Sequence, residues 1–533
     1  MQTSPIVFRR AGVLTACAAI AFVIVRHFIA VYAGLDGALD SDEIEYLHAG
    51  WLMHRGLRLY RDFAEDHAPL LFVILKWMVP SAGTSLFPRL DLVAYVARAR
   101  LFSSACGLLG VTAVAILSYR AIGSFVAPLV TIAAIVASPW VWLRGVVQVR
   151  NDPPALFLFW LGALLLLGGW KSERTRFALA GFGIGLVAIA AVWNPKWPLE
   201  SLVLGAVYLV IAWQALRRGP AMIALAVVPP AVLLLTSLAC IASTVTLGDY
   251  YFFTFRYNKL LCDWMANNPY LTKLTEMAFH QGRAYMFCAP AFKGVWPILA
   301  VVLTLGLLLV PAVRRVLGGL DAGIHWVLLA LAAAATAEIR FVYPYPNVWS
   351  QYYVMWSFIA ACLYGTTAAA LVRLLPREVL RLTATIAIAL VAIAAVEQSM
   401  PIRAGVTGWP LLSYLQRNLR RGETVWVQAD VHPIGVPDAG YYWFATNDLV
   451  PFSLQYTAKH PEESPLPSVT EADMPVCRAE RGLQPDLRFV SGGIFLHSLP
   501  EARRCLDRLI AAGRAVRTPA NGVWDLHPEP LRR

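Results

Sequence analysis

The sequence predicts a polytopic α-helical membrane protein of about 11 to 13 spans, ending in a small α/β domain. Three observations carry that prediction. Hydrophobic residues make up 58% of the 533 residues and charged residues only 15%, with a mean hydropathy of +0.58. Apolar windows recur at close to the ~20 residues that a helix needs to cross a bilayer. Past residue 398 those windows stop, and Pro, Gly, Arg, Asp and Glu return in ordinary proportion.

Taken in order, the windows lie near 11–33, 91–118, 122–140, 154–170, 177–193, 198–215, 219–245, 295–313, 321–338, 352–374 and 379–398. The first is too long for a signal-peptide core and lacks a small-residue cleavage site, so it reads as a retained anchor. The stretch 69–80 (LLFVILKWMVP from Leu70) is too short to span and reads as interfacial or re-entrant. This divides the chain into a transmembrane domain, 1–399, with a large first outer loop at 35–90, and a C-terminal domain, 400–533. In the latter, ETVWVQA (423–429) and DLRFVSG (486–492) read as short buried strands, and LPEARRCLDRLIAAG (499–513) as a helix.

The net charge of +12 is a topology signal. Arg9-Arg10, Arg120, Lys171 with Arg174 and Arg176, Arg217-Arg218, Arg314-Arg315, and Arg373 with Arg377 and Arg381 fall at alternate loop ends. The positive-inside rule makes all of these ends cytoplasmic. The N-terminus is then cytoplasmic, the number of spans odd, and the C-terminal domain extracytoplasmic. No basic-aromatic groove for nucleic acid is present. Cys262 with Cys288, and Cys477 with Cys505, lie in outer segments as two local pairs, and each is expected to form a disulfide. No Cys/His zinc spacing occurs, and no residue is assigned as a metal ligand. There is no GxGxxG, no Walker loop and no GxSxG with a plausible triad, which argues against a nucleotide donor held in a Rossmann domain.

Polar and aromatic residues gather in four outer segments, 35–90, 140–154, 246–294 and 338–353. Residues 35–70 hold Asp36, Asp40, Asp42, Glu43, Glu45, Asp62, Glu65 and Asp66 against Arg55, Arg58 and Arg61. Asp42-Glu43, a few residues past the first span, are candidates for general-base work on a polar substrate. His67 before Pro69 is a candidate ligand-contacting donor, or a structural turn residue. Arg150-x-Asp152 precedes Pro153-Pro154, so Asp152 falls in the first turn of a helix, where capping and a local ion pair would also suit it. Lys196, in the outer turn WNPKWP, runs against the positive-inside trend, which an anionic lipid phosphate or simple snorkelling would explain. Arg256, Lys259, His280 and Arg283 make the third segment basic in places. In the fourth, Tyr343, Tyr345, Trp349, Tyr352 and Tyr353 suit an interfacial aromatic belt, or stacking on sugar rings or a prenyl chain.

Four motifs in this order resemble the GT-C superfamily of membrane glycosyltransferases, in particular the branch of protein O-mannosyltransferases and lipid A aminoarabinose transferases (families 39 and 83). They are SDEIEYLHAGWLMHRG (41–56), DFAEDHAPLL (62–71), VRNDPPALFLFWLG (149–162) and GLVAIAAVWNPKWP (185–198). The resemblance covers the membrane part, and the C-terminal domain only in position. It departs from the family at Ala68, where some members have a lysine before the proline.

The resemblance implies an inverting enzyme of the plasma membrane (the inner membrane of a bacterium). Such an enzyme moves a sugar from a polyprenyl-phosphate donor to a lipid, glycan or protein hydroxyl on the extracytoplasmic face. Carried over, Asp42 is the base and Glu43 a supporting contact. Asp152 orients the acceptor or a catalytic cation. Lys196 and His67, with Arg150 nearby, hold the lipid phosphate, and Tyr352 or Tyr353 lines that site. No cofactor is certain, and the chemistry leaves room for a divalent cation. The alternative is a transporter or flippase of lipid-linked glycans. Broken helices in matched halves and mid-span charges would favour it, and few are visible.

Overall fold

In the computed structural model the described residues are 5–34, 39–80, 89–267, 297–309, 322–339, 353–399, 409–428, 431–441, 449–462, 465–492, 499–519 and 522–527. The protein is a polytopic helical membrane protein with a small C-terminal sheet. Among the described residues, seven helices are long and apolar enough to cross a membrane: Ile6–Ile29, Leu92–Ile122, Glu173–Trp193, Pro198–Leu216, Pro220–Thr244, Val354–Leu374 and Glu378–Gln398. Four shorter apolar helices, Val126–Val136, Asp152–Leu167, Leu299–Leu309 and Gly323–Ala337, fall at the remaining windows read from the sequence.

The contacts group the chain into two compact units, each assembled from separated segments. The first comprises Met1–Ala33, Leu101–Ala239 and Asn268–Ile402. Small residues set its helix packing. Gly162 and Gly183 face each other across the Asp152–Leu167 and Glu173–Trp193 helices. A Cβ on Gly162 would stand 2.5 Å from the Gly183 carbonyl, and one on Gly183 would stand 2.6 Å from the Gly162 carbonyl. This backbone-to-backbone approach fixes an antiparallel hairpin. It brings the start of one helix, at Asp152, beside the end of the next, at Asn194.

The second unit comprises Gly34–Arg100, Cys240–Asn267 and Arg403–Arg533. It begins with the helix Ser41–His54, here called α1, followed by α2, Leu70–Met78. Asp40 caps α1: its side chain accepts from the Asp42 backbone and closes a capping box with Glu43. From Glu43 to Met53 every residue of α1 is buried. A helix this polar is buried only if its polar groups find partners. The sequence placed this segment in a large outer loop, and the structure makes α1 within it a buried helix. Gly50 lets it dock, since a Cβ there would lie 2.6 Å from Leu75 Cβ and 2.7 Å from Tyr95 Oη. The Tyr95 hydroxyl donates to the Leu47 carbonyl at 3.0 Å.

The C-terminal sheet has β1 (Thr424–Trp426), β2 (Leu487–Ser491), β3 (Val516–Arg517) and β4 (Val523–Asp525), in the order β1-β2-β4-β3. β1 pairs parallel to β2, and the other pairings are antiparallel. Leu415, Leu419, Val425, Val427, Phe489 and Val523 form its core. The Arg488 guanidinium meets Asp525 through Nε at 2.8 Å and Nη2 at 2.8 Å. Cys477 and Cys505 form a disulfide, with Cα atoms 5.1 Å apart, as their local spacing led one to expect. Cys288, the expected partner of Cys262, lies outside the described residues, as do Tyr352, His280 and Arg283.

Candidate active site

Two polar clusters, one in each unit, carry the candidate chemistry. In the second unit Asp42 sits in the first turn of α1 and is partly exposed, with the Ser41 hydroxyl donating to it at 3.3 Å. Its neighbour Glu43 is fully buried, and Arg100 holds it by a two-pronged ion pair: Nε to Oε1 at 3.0 Å and Nη2 to Oε2 at 2.7 Å. Glu43 Oε2 also accepts the Asp40 backbone N–H at 3.2 Å. Glu43 is thereby a structural anchor for the helix start, while Asp42 faces outward. Arg100 escaped notice in the sequence because it lies inside an apolar window.

One turn along α1, Glu45 meets the segment Glu65-Asp66-His67. His67 Nδ1 lies 2.6 Å from Glu65 Oε1, 3.0 Å from Asp66 Oδ1 and 3.7 Å from Glu45 Oε1. The same Glu65 oxygen accepts the backbone N–H groups of Asp66 (3.1 Å) and His67 (3.2 Å). The segment is pinned from outside: the Tyr60 hydroxyl donates to the His67 carbonyl at 2.6 Å, and Asn258 Nδ2 to the Asp66 carbonyl at 2.6 Å. Tyr60 itself holds φ at +68° and stacks on Phe253 at 4.5 Å, a strained backbone kept in place by packing.

Burial pushes the Glu45 carboxyl well above its ordinary range, and the neighbouring Glu65 charge adds to this. Burial also raises Glu65, opposed by its hydrogen bond from His67. For His67 burial works against the charged form. The surrounding Tyr46, Asp66 and Glu45 groups outweigh it and lift the imidazole well above its usual value. These carboxylates thus favour the protonated ring of His67. Its Nδ1–H is committed to carboxylates, and its side chain is a quarter exposed.

Two sets of side chains stand close enough to hold a cation: Glu45, Glu65, Asp66 and His67, and His48, His432 and Asp438. The first set fits a hard divalent ion. It offers three carboxylates, and the buried Glu45 Oε1 and Glu65 Oε2 make no hydrogen bond within the described structure. The second set does not fit. His432 Nδ1 accepts the Ile434 backbone N–H at 3.2 Å, so the ring proton must sit on Nε2, the atom that would bind the metal.

The cluster of the first unit is built differently. Asp152 is fully buried at the start of its helix. Arg150 Nε reaches its Oδ2 at 3.2 Å, while Asn194 Nδ2 (3.0 Å) and Lys196 Nζ (3.3 Å) reach its Oδ1. The structure thus brings together Arg150, Asp152 and Lys196, three of the residues singled out from sequence, and adds Asn194. Asp152 belongs to neither set of cation ligands. Tyr353 is buried just before the Val354–Leu374 helix. Sequence reading also missed Glu338, whose Oε1 accepts the Leu199 backbone N–H at 2.6 Å. It caps the Pro198–Leu216 helix, whose own N-cap residue, Trp197, makes no side-chain cap bond.

No protein-family model and no curated protein matches the chain. Among solved structures, the chain is similar to ArnT of Cupriavidus metallidurans, determined bound to undecaprenyl phosphate. The two share 14% identity with a TM-score of 0.44, over 78% of this chain and 85% of that one. It is also similar to the archaeal oligosaccharyltransferase AglB of Archaeoglobus fulgidus, determined with an inhibitory peptide and a dolichol-phosphate. Here the identity is 13% and the TM-score 0.46, over 98% of this chain and 75% of that one. An apo Archaeoglobus fulgidus oligosaccharyltransferase gives 12% identity and a TM-score of 0.47, over 92% of this chain and 70% of that one. At these identities and TM-scores, neither residues nor substrates transfer from those proteins to this chain.

Proposed function

We propose that this protein is an integral-membrane glycosyltransferase that takes a sugar from a polyprenyl-phosphate donor and places it, with inversion, on a hydroxyl of a lipid, glycan or protein acceptor. The observation that carries the reading is the start of α1. There a partly exposed carboxylate, Asp42, stands on a helix whose next residue is locked by Arg100. A base is effective when it is held in place and a solvent path reaches it.

Asp42 accepts the acceptor hydroxyl proton as that oxygen attacks the anomeric carbon. The bond from that carbon to the phosphate oxygen breaks on the opposite face, and the electron pair leaves with the lipid phosphate. The departing phosphate needs cationic partners. Lys196 and Arg150 are our candidates for that role, with His67 as a further candidate donor. Tyr352 or Tyr353 is the candidate tyrosine for the lipid phosphate site. Glu43 acts on Asp42 by fixing the helix start. Asp152 sets the positions of Arg150 and Lys196. A divalent cation, if bound, would be held by the carboxylates of Glu45, Glu65 and Asp66, and would supply Lewis-acid neutralisation of phosphate charge.

The reaction takes place on the extracytoplasmic face, with the N-terminus cytoplasmic and the C-terminal domain outside. The basic loop ends and the Cys477–Cys505 disulfide support that orientation. Reconstitution in proteoliposomes with a radiolabelled polyprenyl-phosphate sugar tests the function. Label should pass to an acceptor fraction in wild type and not in Asp42→Asn. Binding and flipping of the lipid with no transfer would instead establish the flippase alternative.

A further inference from the structure

Asp438 comes from the C-terminal domain, 390 residues beyond α1 in sequence. Its Oδ2 lies 2.8 Å from His48 Nε2, and its Oδ1 lies 3.3 Å from His432 Nε2. His48 is fully buried in the middle of α1, and His432 is 1% exposed. The two imidazoles pack against each other with ring centroids 3.9 Å apart, and Trp51 stacks on His48 at 5.6 Å.

The loop that delivers Asp438 is itself fixed. The Val425 backbone N–H donates to the Pro437 carbonyl at 3.2 Å, and the Ala439 N–H to the Val425 carbonyl at 2.9 Å, so both neighbours of Asp438 are tied to β1. Gln416 Nε2 donates to the Pro433 carbonyl at 2.9 Å. Ile434 and Gly435 take left-handed backbones, at φ +37° and +72°. The Ile434 N–H then meets His432 Nδ1. A backbone N–H can only donate, so His432 Nδ1 is bare and its Nε2–H donates to Asp438. Asp438 therefore accepts from two imidazoles at once.

We propose that Asp438 is a positioning residue for the catalytic helix: with His432 behind it, it grips His48 and so fixes α1, and with it Asp42. The proposal rests on the glycosyltransferase reading for its catalytic consequence and not for its geometry. A buried carboxylate shared by two neutral donors holds direction as well as distance, whereas apolar packing alone would let α1 slide along its axis. The C-terminal domain thereby becomes part of the catalytic apparatus.

The test uses the full-length protein in proteoliposomes, with two readouts. The first is backbone hydrogen exchange over residues 43–54, compared with the β2 strand 487–491. Asp438→Ala and His48→Ala should speed exchange in 43–54 at least tenfold and leave β2 unchanged. The second is transfer kinetics, where kcat should fall about tenfold or more with the donor KM held within about twofold. His48→Gln, whose amide can still donate to Asp438, should restore both. Normal exchange and normal kcat in Asp438→Ala would overturn the proposal. So would faster exchange spread equally over β2, which would mark a folding role only. Protection of α1 that a chelator removes would overturn the proton assignment and make the cluster a metal site. If wild type transfers no sugar, the functional reading fails, and the exchange arm still decides the clamp.

Discussion

The two polar clusters bury charge in opposite proportions. Around His67, three carboxylates surround one imidazole. Around Asp152, two cations and an amide surround one carboxylate. In the first, burial lifts the Glu45 and Glu65 carboxyls above their ordinary range, which eases its surplus of negative charge. The second has no such outlet, because an arginine does not deprotonate. Its carboxylate is the fixed component, and its cations are what a phosphate would meet. An acidic cluster suits a proton or a metal cation, and a basic one suits an anion. The sequence presents both simply as charged residues in outer loops.

The largest expected effect concerns the base. Asp42→Asn should lower sugar transfer by about 10²–10⁴ while donor binding and thermal stability stay near wild type. Near-normal turnover in the transfer assay would remove Asp42 from the mechanism and pass the role to Glu43.

The contrast between clusters is sharpened by two isosteric changes. Asp152→Asn leaves a buried arginine and a partly buried lysine short of their counter-charge and should cost about 3–5 kcal/mol, read as loss of folded protein in thermal unfolding. Glu45→Gln replaces a carboxyl whose charged form burial already disfavours, and should cost less than about 1 kcal/mol. Equal costs would show that the clusters are not opposites. If Glu45→Gln is stable and also abolishes a stimulation by divalent cations, the acidic cluster is the cation site.

Lys196→Ala should raise the donor KM about tenfold or more, the value of a charge-assisted hydrogen bond to phosphate, with a smaller change in kcat. Unchanged lipid binding in a filter assay would leave Lys196 as a partner of Asp152 alone.

The fourth prediction concerns acid. Burial holds His48 down to about 4, from an ordinary value of 6.5, with the neighbouring His432 adding to it. A base with a depressed folded value binds protons more readily when unfolded. Its contribution to stability is therefore complete above pH 6.5 and is lost as pH falls toward 4. The loss is on the order of 3 kcal/mol at most. His48→Gln should flatten the stability profile over pH 4–6.5, and an identical profile in the variant would contradict it.

Much of this was legible along the chain. Apolar windows predicted the helices because transfer into a bilayer is a property of ~20 consecutive residues. Pro153-Pro154 after Asp152 marked a helix start. Cys477 and Cys505 lie 28 residues apart in one small domain, near enough for local folding to bring them together. Burial of α1 was not legible. Its polar residues read as part of an outer loop, because the partners of Glu43, Glu45 and His48, which are Arg100, His67 and Asp438, stand on other segments.

By itself, then, the sequence determined which segments are apolar, where helices begin, and which residue types could take a proton or hold a phosphate. Those follow from transfer free energies and local backbone preferences, which a short window already contains. Only the tertiary structure decided that Glu43 belongs to Arg100, that Glu45 joins His67, and that His48 meets Asp438 across 390 residues. Such pairings depend on the route of the whole backbone, and the energy of a buried charge depends on the partner that route delivers.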